Sequence, residues 1–456
     1  MDRRYSNAYA EWAAARSARP LVLRGARQVG KTWLIENLRR PTDKVVVTAN
    51  FDRDPGLARA FASNDPKAIV GLLEVALRRS IEPGRTVLLL DEIQAAPELL
   101  AKLRWFGEEM PELHVVATGS LLDFALEQPE FSMPVGRVTY GHLEPLTFGE
   151  FLDAVGERRL GEAIGAATVT ASLPPMLHAR AAELQRTYML VGGMPAAVVE
   201  WTQTGSLLTV ATRHRDILTS MRDDFAKYRR RTEPRRIEKV FAALPRLVGR
   251  KFQATQVDRE ESGRGIKEAF RLLCLARVAT PVRRSACTGI PLGATIDERY
   301  DKVCMLDVGL LATMSGLDAA SLPPDGETLF SNRGQLAEQY VGQELRACRP
   351  FDQEPALFTW VRDARSSNAE VDYVIQVGGR VVPVEVKAGA PGRLRSLHMM
   401  VQERELDIAV RVGPEPLQLR EVTTALPVGP ARTFRLLSVP LAMVSEIPRL
   451  VREIAG

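Results

Sequence analysis

Leu21-Val-Leu-Arg-Gly-Ala-Arg-Gln-Val-Gly-Lys-Thr-Trp-Leu34 reads as a strand, a glycine-flanked loop and the start of a helix. Gly25, Gly30, Lys31 and Thr32 keep the spacing of a phosphate-binding loop. In such a loop the backbone N–H groups, here those of Gly25, Ala26, Arg27, Gln28, Val29 and Gly30, turn inward around a polyphosphate. A Cβ at either glycine would crowd that approach. Lys31 is expected to reach the β- and γ-phosphates, and the Thr32 hydroxyl to hold Mg²⁺. The stretch implies an α/β fold that binds ATP or GTP with magnesium.

Working outward, Lys44-Val-Val-Val-Thr48 is a short apolar run of the kind buried on both faces of a parallel sheet. A helical stretch near 67–80 and the Pro83-Gly84 turn lead to the strand Thr86-Val-Leu-Leu-Leu90. This alternation predicts right-handed βαβ units. Asp91 and Glu92 then fall at the carboxyl end of the sheet, the edge on which the loop opens. Asp91 is the expected magnesium carboxylate. Glu92 is the expected base for an attacking water, a group that hydrolysis needs and binding does not. The next strand, His114–Thr118, ends in Thr118-Gly119-Ser120, so Thr118, and after it Ser120, is a candidate to sense the γ-phosphate or to position the water. Arg137 is the candidate for neutralising the transition state, with Arg24 and Arg27 as competitors.

At 456 residues the chain has room for two to four domains. Its 45% hydrophobic and 26% charged content is ordinary for soluble proteins. No run approaches the roughly 18 apolar residues of a membrane span, and Met1-Asp-Arg-Arg-Tyr-Ser6 lacks an apolar signal core. A cytoplasmic protein without a membrane partner is expected. Cys274, Cys287, Cys304 and Cys348 are scattered, which indicates neither a disulfide framework nor a zinc site. The net charge of +5 is compatible with a nucleic-acid partner and weak as an argument for one.

Gly25–Thr32, Asp91-Glu-Ile-Gln94, Thr118-Gly-Ser120, Gly136-Arg137 and Glu144-Pro-Leu-Thr-Phe-Gly-Glu-Phe151, taken with Gly192-Gly-Met-Pro195, resemble prokaryotic AAA-type ATPases that carry a poorly characterised C-terminal domain. The resemblance implies a five-stranded parallel sheet in the order 5-1-4-3-2 followed by a helical lid. It also implies that Arg137 acts at the nucleotide, in cis or from a neighbouring subunit.

The expected domains are a P-loop ATPase core over 1–155, a helical lid over 156–215, a winged-helix-like module over 216–327 and a C-terminal α/β domain over 328–456, the last beginning after Pro323-Pro-Asp-Gly326. Arg222-Asp-Asp-Phe-Ala-Lys-Tyr-Arg-Arg-Arg231, continued by Arg235 and Arg236, is the most basic stretch. It reads either as a nucleic-acid contact with Phe225 and Tyr228 stacking or as a solvated helix face with its aromatics turned inward. In the winged-helix reading, Leu275–Val282 and Asp301–Leu306 are the wing strands, and the helix Gly265–Cys274 presents Arg264, Lys267 and Arg271 to DNA.

In the C-terminal domain, Glu370–Lys387 forms two alternating strands around Gly378-Gly379. A two-residue glycine turn pairs 377 with 380 and therefore 372 with 385. Alternation places Glu370, Asp372, Glu385 and Lys387 on one face. Opposed like charges are destabilising by some tenths of a kcal/mol unless neutralised, and a divalent metal would neutralise them. The pattern resembles the PD-(D/E)xK restriction-endonuclease core, with Val371 where many members have proline. By that resemblance Asp372 and Glu385 are metal ligands, Lys387 is the catalytic lysine, and Glu338, on the helix 335–346, is the accessory acid. The alternative is a polar face neutralised by the Glu370–Lys387 pair on a scaffold that cuts nothing. The chain therefore reads as a Mg²⁺-dependent ATPase coupled to a domain that handles, and in one reading cleaves, DNA or RNA. The other reading is an ATP-controlled switch whose inactive C-terminal domain engages a protein partner or another copy of the chain.

Overall fold

Residues 3–37, 43–119, 122–126, 136–228, 231–317, 333–363, 369–387, 394–424, 426 and 430–455 are described by a computed structural model. Ser120, Arg229, Arg230 and the Pro323–Gly326 linker lie outside these residues. Contacts divide the chain into two units. The first is Met1–Glu144 with Leu275–Arg277 and Arg349–Pro355. The second is Pro145–Cys274 with Val278–Cys348 and Ala356–Gly456.

The first unit is built on β1 (Leu21–Arg24), β2 (Val45–Asn50), β3 (Thr86–Asp91), β4 (His114–Thr118) and β5 (Thr139–His142). All pairings are parallel in the order β2-β3-β4-β1-β5, which is the expected order read from the other edge. β3 is buried along its whole length, as a central strand covered on both faces must be. β2 departs from the expectation of burial on both faces. It is an edge strand, and its first residue, Val45, is 48% exposed. On one face Val22, Leu88, Leu90, Val115 and Ala117 pack with Phe51, Phe61 and Phe106.

The second unit contains one eight-stranded sheet, in the order β12-β13-β11-β10-β9-β8-β6-β7. Its strands are β6 (Ala279–Ser285), β7 (Ile296–Met305), β8 (Leu357–Val361), β9 (Glu370–Val377), β10 (Arg380–Val386), β11 (Ile408–Gly413), β12 (Gln418–Thr423) and β13 (Thr433–Pro440). The expected wing strands are therefore not the wing of a separate module. β6 pairs with β7, but its other edge pairs in parallel with β8, Val282 opposite Leu357, so the ladder continues into the C-terminal strands. The boundary expected at 327/328 crosses this sheet. The hairpin register is as expected, Val377 opposite Arg380 and Tyr373 opposite Val384, through a Gly378-Gly379 turn in which both φ angles are positive.

The expected lid segment also belongs to the second unit. Thr147 and Glu150 close a capping box on the helix Phe148–Ala154. The Phe148 N–H donates to Glu344 Oε1 at 2.9 Å. Buried Tyr188, on the helix Pro175–Val191, accepts from Gln343 Nε2 at 3.0 Å and donates to the Leu146 carbonyl. These helices thus share a core with the helix Arg333–Ala347, on which Gln343 and Glu344 lie. In the basic stretch Phe225 is buried and meets Phe241 edge-on at 5.2 Å, which matches an aromatic turned inward. All four cysteines are free, and among the described residues no helix is long and apolar enough to cross a membrane.

Candidate functional site

The loop of residues 25–30 runs from the carboxyl end of β1 to the helix Lys31–Glu36. Gly25 is required by close approach, because a Cβ there would lie 2.5 Å from the Leu143 carbonyl oxygen. Lys31 is buried, and its ammonium donates to the Gly25 and Ala26 carbonyls at 3.0 and 2.7 Å. Burial pushes Lys31 down to about 8, against the opposing pull of Glu92 and Asp91.

Asp91 is the convergence point of this edge. Thr32 Oγ1 lies 3.3 Å from each of its carboxylate oxygens, Asn50 Nδ2 donates to Oδ2 at 3.1 Å, and the hydroxyl of buried Thr118 donates to Oδ1. Thr118 therefore orients a carboxylate in this structure. Glu92 follows with a positive φ of 53° and accepts from the Gln94 side-chain amide. A hydroxyl and a carboxylate are hard oxygen donors, so Thr32 and Asp91 fit the coordination chemistry of Mg²⁺. Asn50 and Gln94 have no place in the loop pattern. Gln94 stood two residues beyond Glu92 in the quoted motif, and Asn50 had only its position at a strand end to mark it.

The arginines sort differently from the expectation. Arg137 precedes β5 by two residues, at the amino ends of the strands, where Leu21 pairs with Thr139. It is 60% exposed and its Nε lies 3.2 Å from Glu108 Oε1. Within one chain it stands at the edge opposite the loop, so of the two placements left open, in cis or from a neighbouring subunit, the contact in cis is not made in this structure. Arg27 lies in the loop, half-buried. Arg24 and Arg277 instead converge on Asp123. Arg277 Nε donates to Oδ2 at 2.7 Å and Arg24 Nε to Oδ1 at 2.5 Å. Burial alone would raise the Asp123 carboxyl, but Arg277 and Arg24 outweigh it and hold it below the usual range. Burial, then Arg277 and Arg24, pushes His142 down to about 3, so its ring is neutral at pH 7. Arg277 also acts electrostatically on Lys31. No local motif marks it.

In the second unit, Glu338, Glu370, Asp372, Glu385 and Lys387 do come together, around a residue that the sequence did not suggest. Lys302, on β7, is 1% exposed, with Nζ 2.7 Å from Glu338 Oε1, 2.6 Å from Glu370 Oε1 and 3.9 Å from Asp372 Oδ1. Burial lowers its affinity for a proton, and Glu338, Asp372 and Glu370 more than reverse that, so it is held as a cation. Asp372 Oδ2 accepts from the Val386 N–H at 2.8 Å, Tyr300 donates to Glu370 at 3.1 Å, and Lys387 Nζ lies 2.7 Å from Glu385 Oε1. Burial pushes Glu338 up to about 7, Lys302 opposing, and burial followed by Asp372 pushes Glu385 up to about 7. Of the expected metal pair, Asp372 Oδ2 accepts from a backbone N–H and Glu385 Oε1 faces Lys387, while Glu385 Oε2 is buried without a hydrogen-bond partner. Among the described residues no group of three or more His, Cys, Asp or Glu is placed to hold a metal. Lys302 Nζ stands between the Glu338 and Glu370 carboxylates of this set.

Residues 17–152 match the model of a family described as an AAA domain. Residues 182–321 and 333–430 match two domains of unknown function, DUF8612 and DUF4143. Comparison with curated proteins returns no match. Among solved structures the chain is similar to a Walker-type ATPase of Pyrococcus abyssi, at 15% identity over 69% of this chain and 95% of that one, with a TM-score of 0.43. It is also similar to the ORC2 protein of Aeropyrum pernix, at 11% identity over 69% and 94%, with a TM-score of 0.33. For the RuvB Holliday junction branch migration motor of Thermotoga maritima the values are 16% over 66% and 93%, with a TM-score of 0.29. The loop, the Asp91 carboxylate and the 2-3-4-1-5 sheet all lie inside the segment, residues 17–152, that matches the AAA domain model.

Proposed function

We propose that the first unit binds and hydrolyses Mg²⁺-ATP. The observation that carries this reading is the convergence of Thr32, Asn50 and Thr118 on Asp91, one residue before Glu92 and beside Lys31. Thr32 and Asp91 would hold the magnesium ion, which when bound neutralises phosphate charge. Lys31 exchanges its bonds to Gly25 and Ala26 for phosphate oxygens. Glu92 accepts the proton of the attacking water while the Gln94 amide fixes its carboxylate; the water oxygen bonds to the γ-phosphorus as the bond to the bridging oxygen breaks, and ADP leaves with that oxygen and its electron pair. Arg137, on the opposite edge, serves only a second copy of the chain, so a homo-oligomer is the assembly in which it would act. Phosphate release from ATP by the purified chain, with a Glu92→Gln control, tests the reading; release that persists in that variant overturns the assignment of the base.

For the C-terminal carboxylates the internal charge of Lys302 counts against a metal nuclease, and the ATP-controlled switch is retained as the other reading. Incubation with DNA and RNA in Mg²⁺ or Mn²⁺ beside Lys387→Ala distinguishes the two. The expected result is no metal-dependent cleavage, and cleavage lost in Lys387→Ala restores the nuclease.

A further inference from the structure

The second unit contains a cavity of about 680 Å³ whose lining includes Arg231, Arg236, Arg264, Lys267, Arg271 and the acidic Glu268, with Glu261 behind Arg236. Neither the nucleotide site nor the carboxylate cluster uses any of these residues. We propose that it is a docking site for the phosphate backbone of a nucleic-acid strand.

The cations come from two places in the sequence and meet on one surface. Arg264, Lys267 and Arg271 are exposed and share one face of the helix Gly263–Leu275, at spacings of three and four residues. The opposite face, Ile266, Ala269, Phe270, Leu272 and Leu273, is buried, so the basic face has a fixed orientation. Arg236, from the helix Pro234–Leu247, lies against the start of this helix, and a Cβ at Gly265 would come within 3.1 Å of its side chain. Glu261 holds the Arg236 guanidinium at 2.9 Å, and Glu268 holds that of Arg271 at 2.9 and 2.8 Å. Two of the five cations are thus held in place while Arg264 and Lys267 stand at the exposed rim.

Length selects the ligand. From residue 264 to 271 the helix rises about 10 Å at 1.5 Å per residue. One strand of duplex DNA advances about 3.4 Å per phosphate, so the row spans about three phosphates. A row this long, flanked by two further arginines, matches a run of backbone phosphates better than a single phosphoryl group. No base-reading contact is implied, so the interaction is electrostatic and independent of sequence.

The test uses the full chain without nucleotide and a fluorescein-labelled 20-base-pair duplex, read by fluorescence anisotropy in 50 to 200 mM salt. The about three phosphate contacts that the row spans predict a fall in affinity of about 40-fold over that range. The double variant Arg264→Ala, Lys267→Ala should bind more weakly, with a log–log salt slope reduced by about two. Arg85→Ala, at a surface arginine 84% exposed in the first unit, should bind as the unaltered chain does. Displacement of the duplex by 1 mM inorganic pyrophosphate would mean that the cavity takes a small phosphorylated ligand, and it overturns the proposal. So does absence of binding at 50 mM salt, or a double variant with unaltered affinity and slope. Because anisotropy is read without ATP, and because neither substituted residue belongs to the nucleotide site, failure of this proposal and failure of the ATPase reading are separate outcomes.

Discussion

Lys31 Nζ lies 2.7 Å from the Ala26 carbonyl oxygen and 3.0 Å from that of Gly25, so the loop's only lysine is folded back on the loop itself. Phosphate oxygens must replace these two carbonyls when nucleotide enters. Replacement by Lys31→Ala should weaken ATP binding by about 1.5–3 kcal/mol, tenfold to 10²-fold, the range of charge-assisted hydrogen bonds. Calorimetry reads this directly, and unaltered affinity would remove Lys31 from the site. The same measurement has a pH signature. With Lys31 at about 8 in the free protein, and phosphate favouring its charged form, affinity should hold below pH 8 and fall about tenfold per unit above it.

Glu92→Gln should separate binding from turnover. The amide keeps the size of the side chain and its contact with Gln94 but cannot take a proton from water. ATP affinity should stay within about twofold while phosphate release falls about 10²- to 10⁴-fold, the range of a lost general base.

Asp123 is held between two arginines whose side chains are only 19% and 15% exposed. Asp123→Ala leaves both guanidinium groups without this partner and should cost about 3–5 kcal/mol, seen as a lower unfolding midpoint in denaturant. The acid limb gives an independent check. Because the folded protein holds this carboxyl below its ordinary value, the stabilisation is present at neutral pH and is lost as pH falls below about 4 through the folded value. The variant should lack that part of the acid transition.

Lys302→Met removes the cation that faces Glu338, Glu370 and Asp372. The expected cost is about 3–5 kcal/mol near pH 8. Glu338 is already raised to about 7, so the folded protein takes up protons there that the unfolded chain does not. Stability should therefore recover as pH falls from 8 to 6, more steeply in the variant than in the unaltered chain. Adding Glu338→Gln should restore part of the midpoint. A thermal midpoint that is unmoved by Lys302→Met would show that the cluster does not depend on this charge.

The legible parts of the molecule were those encoded by short-range spacing. Gly25 to Thr32 marks the loop, Asp91-Glu92 marks the strand end, and the Gly378-Gly379 turn fixes the register that sets Tyr373 opposite Val384. What could not be read came from long range. Arg277 reaches Asp123 from 154 residues away, and Lys302 reaches Glu338 and Glu370 from another family segment. Val45 misled for a related reason: an apolar triplet is written alike in a central and an edge strand, and only the partner list distinguishes them. The wing strands failed because antiparallel pairing of β6 with β7 is local, whereas the pairing of β6 with β8 that absorbs them into a larger sheet is not.

That larger sheet bears on how such a chain is inherited. The two matches of unknown function, ending at residue 321 and starting at 333, meet inside one hydrogen-bonded ladder and divide one ion cluster between them. A gene fragment beginning at residue 333 would encode β8 with β9 on one edge but without β6 on the other, and Glu338 without Lys302. Exchange of either segment alone would remove a strand partner and one side of a buried ion cluster together.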